Sequence, residues 1–174
     1  DFKLFAADSA EDDPKPPQIL RAMLETVPTC PLPVVVYVNG APIGAGCVLA
    51  AACDIIVACE EATFSLPEVD FGRVGGSAYV GARIGKGTLR YMALTGARLS
   101  GMEASRAGLV DFLLPREEAG PYAEVLCRRI AAKSATTLRN TKSALNRIEY
   151  LPINEGYEVE QLHSIMSRAD LRES

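Results

Sequence analysis

The sequence has no tryptophan, a single histidine (His163) and only 6% aromatic residues. None of its five cysteines forms a C-x-x-C pair, so a zinc site of ordinary spacing cannot be assembled and we expect no metal. Acidic residues outnumber basic ones by 22 to 18, and no Lys/Arg cluster is interleaved with aromatic residues. These absences argue against a nucleic-acid partner. We expect reduced, buried cysteines and a cytoplasmic protein.

Charge is also absent between Glu25 and Asp54, a window long enough in principle to cross a bilayer. Prolines and glycines interrupt this window repeatedly and would leave backbone groups unpaired in lipid. We therefore interpret it as the core of a soluble protein with no membrane partner. The chain starts on DFKLF, without an initiator methionine or a basic segment before a hydrophobic stretch. We expect no signal peptide, and the abrupt start suggests a fragment.

With 174 residues, 48% of them hydrophobic and 23% charged, the chain suits one globular core. The β-branched run at 34–38 predicts a strand buried on both faces, and small residues at 45–53 predict a closely packed helix. Further predicted elements of the first half are a helix over 18–27, strands over 54–59 and 63–66, and a Gly-rich loop over 71–78.

The second half is predicted to be largely helical. Ser100 and Glu103 have the spacing of a capping box, with Gly108 as the helix stop. The other elements are helices over 79–84, 88–96, 119–134, 135–148 and 154–168, and a strand over 109–115. This order indicates an α/β chain, which we divide into a core over residues 1–114 and a helical region over 115–174.

The Gly-rich turn after the first strand has two interpretations. A helix N-terminus offers unpaired N–H groups to an anion, as in dinucleotide sites, but Leu49 stands where the third glycine of G-x-G-x-x-G belongs. The same geometry can stabilise an oxyanion that develops on a carbonyl, if an acid or base lies in reach. Glu68, after a short strand and a proline, is the candidate for that role; its alternative is a solvated loop acid. Asp70 would share a face with it in a strand-like segment and could pair with it, but a structural or solvated Asp70 is the favoured interpretation.

Several segments in series resemble the enoyl-CoA hydratase/isomerase, or crotonase, family. They are PLPVVVYVNGAPIGAGCVLAAACDIIVACEEATFSLPEVDFG, LTGARLSGMEASRAGLVDFLLP and NTKSAL. The resemblance covers nearly the whole chain and implies a spiral of ββα units with a C-terminal helical region, the N-terminal part of the fold being absent from this chain. It also implies an acyl-CoA substrate, whose coenzyme A is part of the thioester rather than a separate cofactor, and a homotrimer or homohexamer.

Carried over by position, the resemblance makes the Ala45 amide an oxyanion-hole donor and Glu68 the catalytic acid/base. Gly44, Val48 and Gly76 fall in the substrate pocket. The family's other oxyanion donor lies in an A-G-x-D segment, whose aspartate would be Asp1, so that donor precedes the chain. No residues are implied for a separate cofactor.

Val48 is the main departure from the family pattern, because the resemblance places a second glutamate of hydratases there. Isomerases of the family use only the glutamate that matches Glu68, so we expect an enoyl-CoA isomerase. The alternatives are a hydratase, a hydrolase or decarboxylase of the same superfamily, and a catalytically silent oligomeric member. Acyl-carrier-protein thioesters are possible substrates too. Arg73 in the glycine loop could reach a substrate carboxylate or phosphate, although exposure to solvent is the commoner state of such an arginine.

Overall fold

A computed structural model describes the backbone of residues 15–149 and 151–173, and the side-chain surroundings of residues 21–149 and 151–167. Asp1, the expected A-G-x-D aspartate, lies outside these ranges. The elements in chain order are α1 (Lys15–Thr29), β1 (Val35–Val38), α2 (Ala45–Ala52), β2 (Ile55–Cys59), β3 (Thr63–Ser65), a 3₁₀ helix (Pro67–Phe71), α3 (Ser77–Gly81), α4 (Lys86–Thr95), β4 (Arg98–Ser100), α5 (Gly101–Arg106), β5 (Phe112–Leu114), α6 (Arg116–Ala131), α7 (Ala135–Ile148) and α8 (Ile153–Glu173).

The central sheet has the strand order β1-β2-β5, and both pairs are parallel. Helix α2 connects β1 to β2, as a parallel pair requires a crossover. A second, antiparallel pair joins β3 to β4, with Phe64 opposite Leu99. The prediction that β1 is buried on both faces is wrong for the described residues, because only Val38 is fully buried and β1 pairs with β2 alone.

The core forms where α2, β2 and β3 meet the helices of the second half. Ile56 and Val57 of β2 and Phe64 of β3 are wholly enclosed, together with Met92 of α4 and Leu109 before β5. Helix α2 contributes small residues to this core, and short side chains allow its backbone to approach its neighbours closely.

The helices fall close to their predicted positions. Helix α7 has the predicted bounds, whereas α6 begins at Arg116, three residues early, and β5 is shorter than predicted. The capping box of α5 is confirmed: Ser100 N–H donates to Glu103 Oε2 at 2.8 Å, and Glu103 N–H donates to Ser100 Oγ at 3.3 Å. The Ser100 hydroxyl also donates to Glu103 Oε2, at 2.7 Å, and this hydrogen bond together with that from the Ser100 amide lowers the pKa of Glu103. Strand β4, just before this helix, was not predicted.

The C-terminal helices are tied to the rest of the chain by a buried cation. Lys142 of α7 is 5% exposed, and its Nζ donates to Asp54 Oδ2 at 2.7 Å and to the carbonyls of Val27 and Leu32 at 3.1 and 3.2 Å. Asp54 Oδ2 also accepts from the amide of Val34 at 2.6 Å. The ammonium group therefore links α7 to the end of α1 and to the start of the central sheet.

Burial differs among the cysteines. Cys47, Cys53 and Cys59 are buried as expected, while Cys30 is half-buried and Cys127 of α6 is exposed, contrary to the expectation.

Among the described residues, no helix is both long enough and apolar enough to cross a bilayer.

Candidate active site

The N-terminus of α2 forms one side of the site. Gly44 is the N-cap, with φ 54° and ψ −119°, a conformation that is open essentially to glycine alone. Its amide donates to the carbonyl of Ser65 at 2.9 Å, and its carbonyl accepts from Val48 N–H at 3.0 Å to begin the helix. Within the described residues, the Ala45 N–H has no hydrogen-bond acceptor. It is therefore an available donor at the positive end of the helix dipole.

Glu68 forms the other side. It lies in the 3₁₀ helix, which begins with Pro67 directly after β3, rather than in the strand-like loop that the sequence suggested. The carbonyl of Glu68 accepts from the amide of Arg73 at 2.9 Å, and Gly72 ends the helix in the left-handed conformation with φ 64°. This closed turn fixes the backbone from which the carboxylate projects.

The structure brings Glu68 and the start of α2 together. A Cβ atom added to Gly44 would lie 3.0 Å from Glu68 Oε1, so the carboxylate rests against the residue that precedes Ala45. The other oxygen, Oε2, is buried and has no hydrogen-bond partner among the described residues. A buried carboxylate oxygen without a partner is costly in a folded protein, and such sites need a functional explanation.

Val48 and Gly76 form an apolar wall beside this pair. Val48 is 2% exposed, and a Cβ atom added to Gly76 would lie 2.5 Å from Val48 Cγ2 and 3.9 Å from Leu66 Cδ2. Gly76 is the N-cap of α3 with φ 76°, so the absence of a side chain serves both its conformation and this contact. The three predicted pocket residues therefore lie together: Val48 is hydrogen-bonded to Gly44 within α2, and its side chain lies against Gly76.

Cys47 is a member of the site that sequence reasoning did not single out. Its thiol is wholly buried, and burial together with the nearby charge of Glu68 raises its pKa to about 12. The thiol thus stays protonated and apolar beside the carboxylate. Only its helical position, two residues after Ala45, could have indicated this proximity.

The Asp70 carboxylate does not pair with Glu68. A 3₁₀ helix does not place residues i and i+2 on one face, and the Asp70 carboxylate lies against Gly96 at the end of α4. A Cβ atom added to Gly96 would lie 2.5 Å from Asp70 Oδ2. Arg73 is exposed, and its amide donates to the carbonyl of Glu68.

This arrangement suits proton transfer next to a developing oxyanion. A backbone donor at a helix N-terminus stabilises negative charge on a carbonyl oxygen, and a carboxylate beside it can remove a proton from the adjacent carbon. Apolar neighbours such as Val48 and Leu66 strengthen both interactions by excluding water.

Comparisons with known proteins identify the family of this chain. The family model described as "Enoyl-CoA hydratase/isomerase" matches residues 1–174. A probable mitochondrial enoyl-CoA hydratase of Dictyostelium discoideum is 37% identical over 146 residues, which are 81% of this chain and 53% of the relative. A (7aS)-7a-methyl-1,5-dioxo-2,3,5,6,7,7a-hexahydro-1H-indene-carboxyl-CoA hydrolase of Rhodococcus jostii is 33% identical, and the match covers 80% of this chain and 54% of the hydrolase.

Among solved structures, an enoyl-CoA hydratase from Bacillus anthracis superposes with a TM-score of 0.82 at 26% identity, over 89% of this chain and 63% of that chain. The chain spans about half the length of the curated relatives it matches. Its α/β fold is that of the crotonase superfamily, as the resemblance implied. The chain belongs to the enoyl-CoA hydratase/isomerase family.

Proposed function

We propose that this chain carries the enolate-forming site of an acyl-CoA enzyme, with isomerisation of 3-enoyl-CoA to 2-enoyl-CoA as its reaction. The observation that carries the proposal is the contact of the Glu68 carboxylate with Gly44, next to the Ala45 amide, while Oε2 is buried without a partner. A silent family member would have no need to maintain such a carboxylate at a cost in stability.

The steps follow from the two groups. The thioester oxygen accepts a hydrogen bond from Ala45 N–H, and Glu68 removes a proton from C2, beside the carbonyl. The electron pair moves onto the oxygen as a dienolate, which the amide stabilises by about 3 kcal/mol. Glu68 then returns the proton to C4, so the double bond moves from C3–C4 to C2–C3. One carboxylate suffices, because the proton removed is the proton returned.

Val48 favours isomerisation over hydration. Hydration needs a water molecule held over C3, and the side chain of Val48 offers it neither a donor nor an acceptor. The contact between Val48 and Gly76 fills the space at this wall with apolar atoms. Glu68 would have to position and deprotonate the water alone.

Hydration is the second candidate, because the names of several relatives favour it. The Dictyostelium relative is named as a hydratase, and so is a 2,3-dehydroadipyl-CoA hydratase of Escherichia coli that is 33% identical over 80% of this chain. The Rhodococcus relative is named as a hydrolase. The proposed assembly is a homotrimer or homohexamer that acts on acyl-CoA.

Turnover of 3-hexenoyl-CoA and 2-hexenoyl-CoA by the full-length protein separates the two candidates. We expect a higher kcat/KM for isomerisation of the 3-enoyl thioester than for hydration of the 2-enoyl thioester. Faster hydration would instead establish the hydratase.

Glu68→Gln tests the acid/base in the same assay, and we expect kcat to fall about a thousandfold because the amide cannot accept the proton. Asp70→Asn is the matched control: it is the next carboxylate along the chain, lies against Gly96, and should leave kcat unchanged. Glu68→Gln turning over at the wild-type rate would show that the base is another group.

A further inference from the structure

The C-terminal end of α2 is closed by the side chain of Arg83, which follows α3. Its Nε donates to the carbonyl of Ala51 at 2.9 Å, and one Nη donates to the carbonyls of Cys53 and, at 3.1 Å, Asp54. The last carbonyls of a helix lack partners within the helix. The guanidinium group therefore supplies hydrogen-bond donors to carbonyls at the end of α2 and in the short segment before β2.

Arg83 is itself held by the central sheet. Its other Nη lies 3.3 Å from Asp111 Oδ2, and the same oxygen accepts from the amide of Ile56 in β2 at 2.7 Å. The side chain of Arg83 is 17% exposed and that of Asp111 is 36% exposed, so this ion pair is partly shielded from water. The end of α2 is thus fixed to β2 and to the segment before β5 through one guanidinium group.

Helix α2 connects the contacts of Arg83 at its C-terminal end to the site at its N-terminal end. With eight residues it is about 12 Å long, and Ala45 is its first residue. A short helix moves as a rigid unit, so a shift at its C-terminal end displaces the Ala45 amide. The cation also offsets the negative end of the helix dipole and leaves the positive end facing the thioester oxygen.

We propose that Arg83 is a positioning residue for the oxyanion donor, acting through α2 on the Ala45 amide. The inference rests on the proposed function, since that function assigns this amide to the thioester oxygen. Arg83 does not touch the substrate. Its contribution is to hold the donor at the distance and angle at which the carbonyl is most strongly polarised.

The test measures polarisation directly and does not require turnover. Full-length protein is mixed with hexanoyl-CoA that carries ¹³C at the thioester carbonyl, and infrared difference spectra give the stretching frequency of the bound group. We expect a shift to lower frequency in the wild type and less than half of that shift in Arg83→Met. In the isomerase assay, kcat should fall about tenfold in this variant while KM changes less than threefold.

Arg83→Lys keeps the charge but cannot reach all three carbonyls, so we expect an intermediate shift. Asp111→Asn provides a milder variant if Arg83→Met does not fold, because it leaves the guanidinium in place and removes the carboxylate that orients it. It should reduce the shift in the same direction.

Lys142→Met is the control for a purely structural effect. It also removes a buried cation, yet Lys142 contacts no carbonyl of α2, so the full wild-type shift is expected. A full shift in Arg83→Met, or an equal loss in Lys142→Met, would overturn the role of Arg83 and leave the proposed function standing. Absence of any shift in the wild type would overturn both.

Discussion

Around the site, glycines lie directly against functional side chains, whereas the C-terminal helices leave large apolar side chains in solvent. Gly44 meets Glu68 and Gly76 meets Val48 at separations that leave no room for a methyl group. Helices α7 and α8 pack chiefly on each other and expose several large apolar residues: Leu145, Ile153, Tyr157, Leu162, Ile165 and Met166. The difference indicates that the site depends on backbone placement, and the helical pair on a few anchoring contacts.

Polar contacts anchor the helical pair. His163 of α8 is buried, with Nε2 3.2 Å from Ser143 Oγ and Nδ1 2.9 Å from the carbonyl of Val159. Asn146 donates to the carbonyl of Pro28 at 2.9 Å, close to the contacts of Lys142. Changes in this region should therefore alter stability with little effect on rate, while changes at the glycines of the site should lower the rate.

The largest effect is expected from Gly44→Ala. The new Cβ would force a backbone conformation that alanine avoids and would displace the Glu68 carboxylate from the Ala45 amide. We expect kcat/KM to fall about a hundredfold to a thousandfold. Gly156→Ala in α8 is the matched change in the other region, where a Cβ meets Ile148 at 3.4 Å. Steady-state kinetics should show wild-type kcat/KM for Gly156→Ala, and an equal loss in both variants would remove the contrast.

Lys142→Met is expected to lower stability while leaving the reaction rate nearly unchanged. Its loss removes the cation that pairs with Asp54 and the donor to two carbonyls, so we expect the free energy of unfolding to fall by about 3 kcal/mol. Denaturant unfolding measures this change, and kcat/KM assayed well below the melting temperature should stay within twofold. A rate that fell as far as in Gly44→Ala would mean that the helical pair shapes the site.

The reactivity of the Cys47 thiol measures whether water reaches the site. Because its pKa is raised to about 12 from an ordinary value of 9.0, alkylation by iodoacetamide at pH 8 should be at least about a hundredfold slower than at the exposed Cys127. The native thiol keeps its proton above pH 9, where the unfolded thiol ionises. The free energy of unfolding should therefore fall as the pH rises from 9 towards 12, and less steeply in Cys47→Ala. Rapid labelling of Cys47 in the folded protein would argue that water reaches the carboxylate.

Val48→Thr is expected to have the smallest effect. It tests whether the apolar side chain at position 48 favours isomerisation over hydration. Threonine keeps the shape of valine and adds a hydroxyl that can hold water, so the ratio of hydration to isomerisation should rise about fivefold. Product analysis by chromatography measures this ratio. An unchanged ratio would mean that the residue at position 48 does not decide between the two reactions.

Local signals allowed much of the fold to be predicted. The capping box of Ser100 and Glu103 was predicted correctly because both partners lie within one turn of helix. The bounds of α7 were also predicted, since its apolar residues recur at helical spacing over 135–148. In both cases, the residues that determine the structure are neighbours in the sequence.

Distant partners explain what the sequence did not show. Arg83 contacts carbonyls about thirty positions earlier, and Lys142 reaches Asp54 across 88 positions. No periodicity encodes such pairs. For Asp70, the sequence favoured a structural or solvated carboxylate over pairing with Glu68, and the segment indeed forms a 3₁₀ helix, in which residues two apart do not share a face.

The hydrogen bond from Gly44 N–H to Ser65 O joins the two halves of the proposed catalytic pair through the main chain. Ala45 follows one partner of this bond, and Glu68 follows the other by three positions. The proposed donor and base therefore share one frame, because a single main-chain hydrogen bond connects the segments that carry them. Since the side chain of Val48 borders that frame and takes no part in its hydrogen bonds, replacement of this side chain offers a route to new reactions in which the central main-chain geometry is retained.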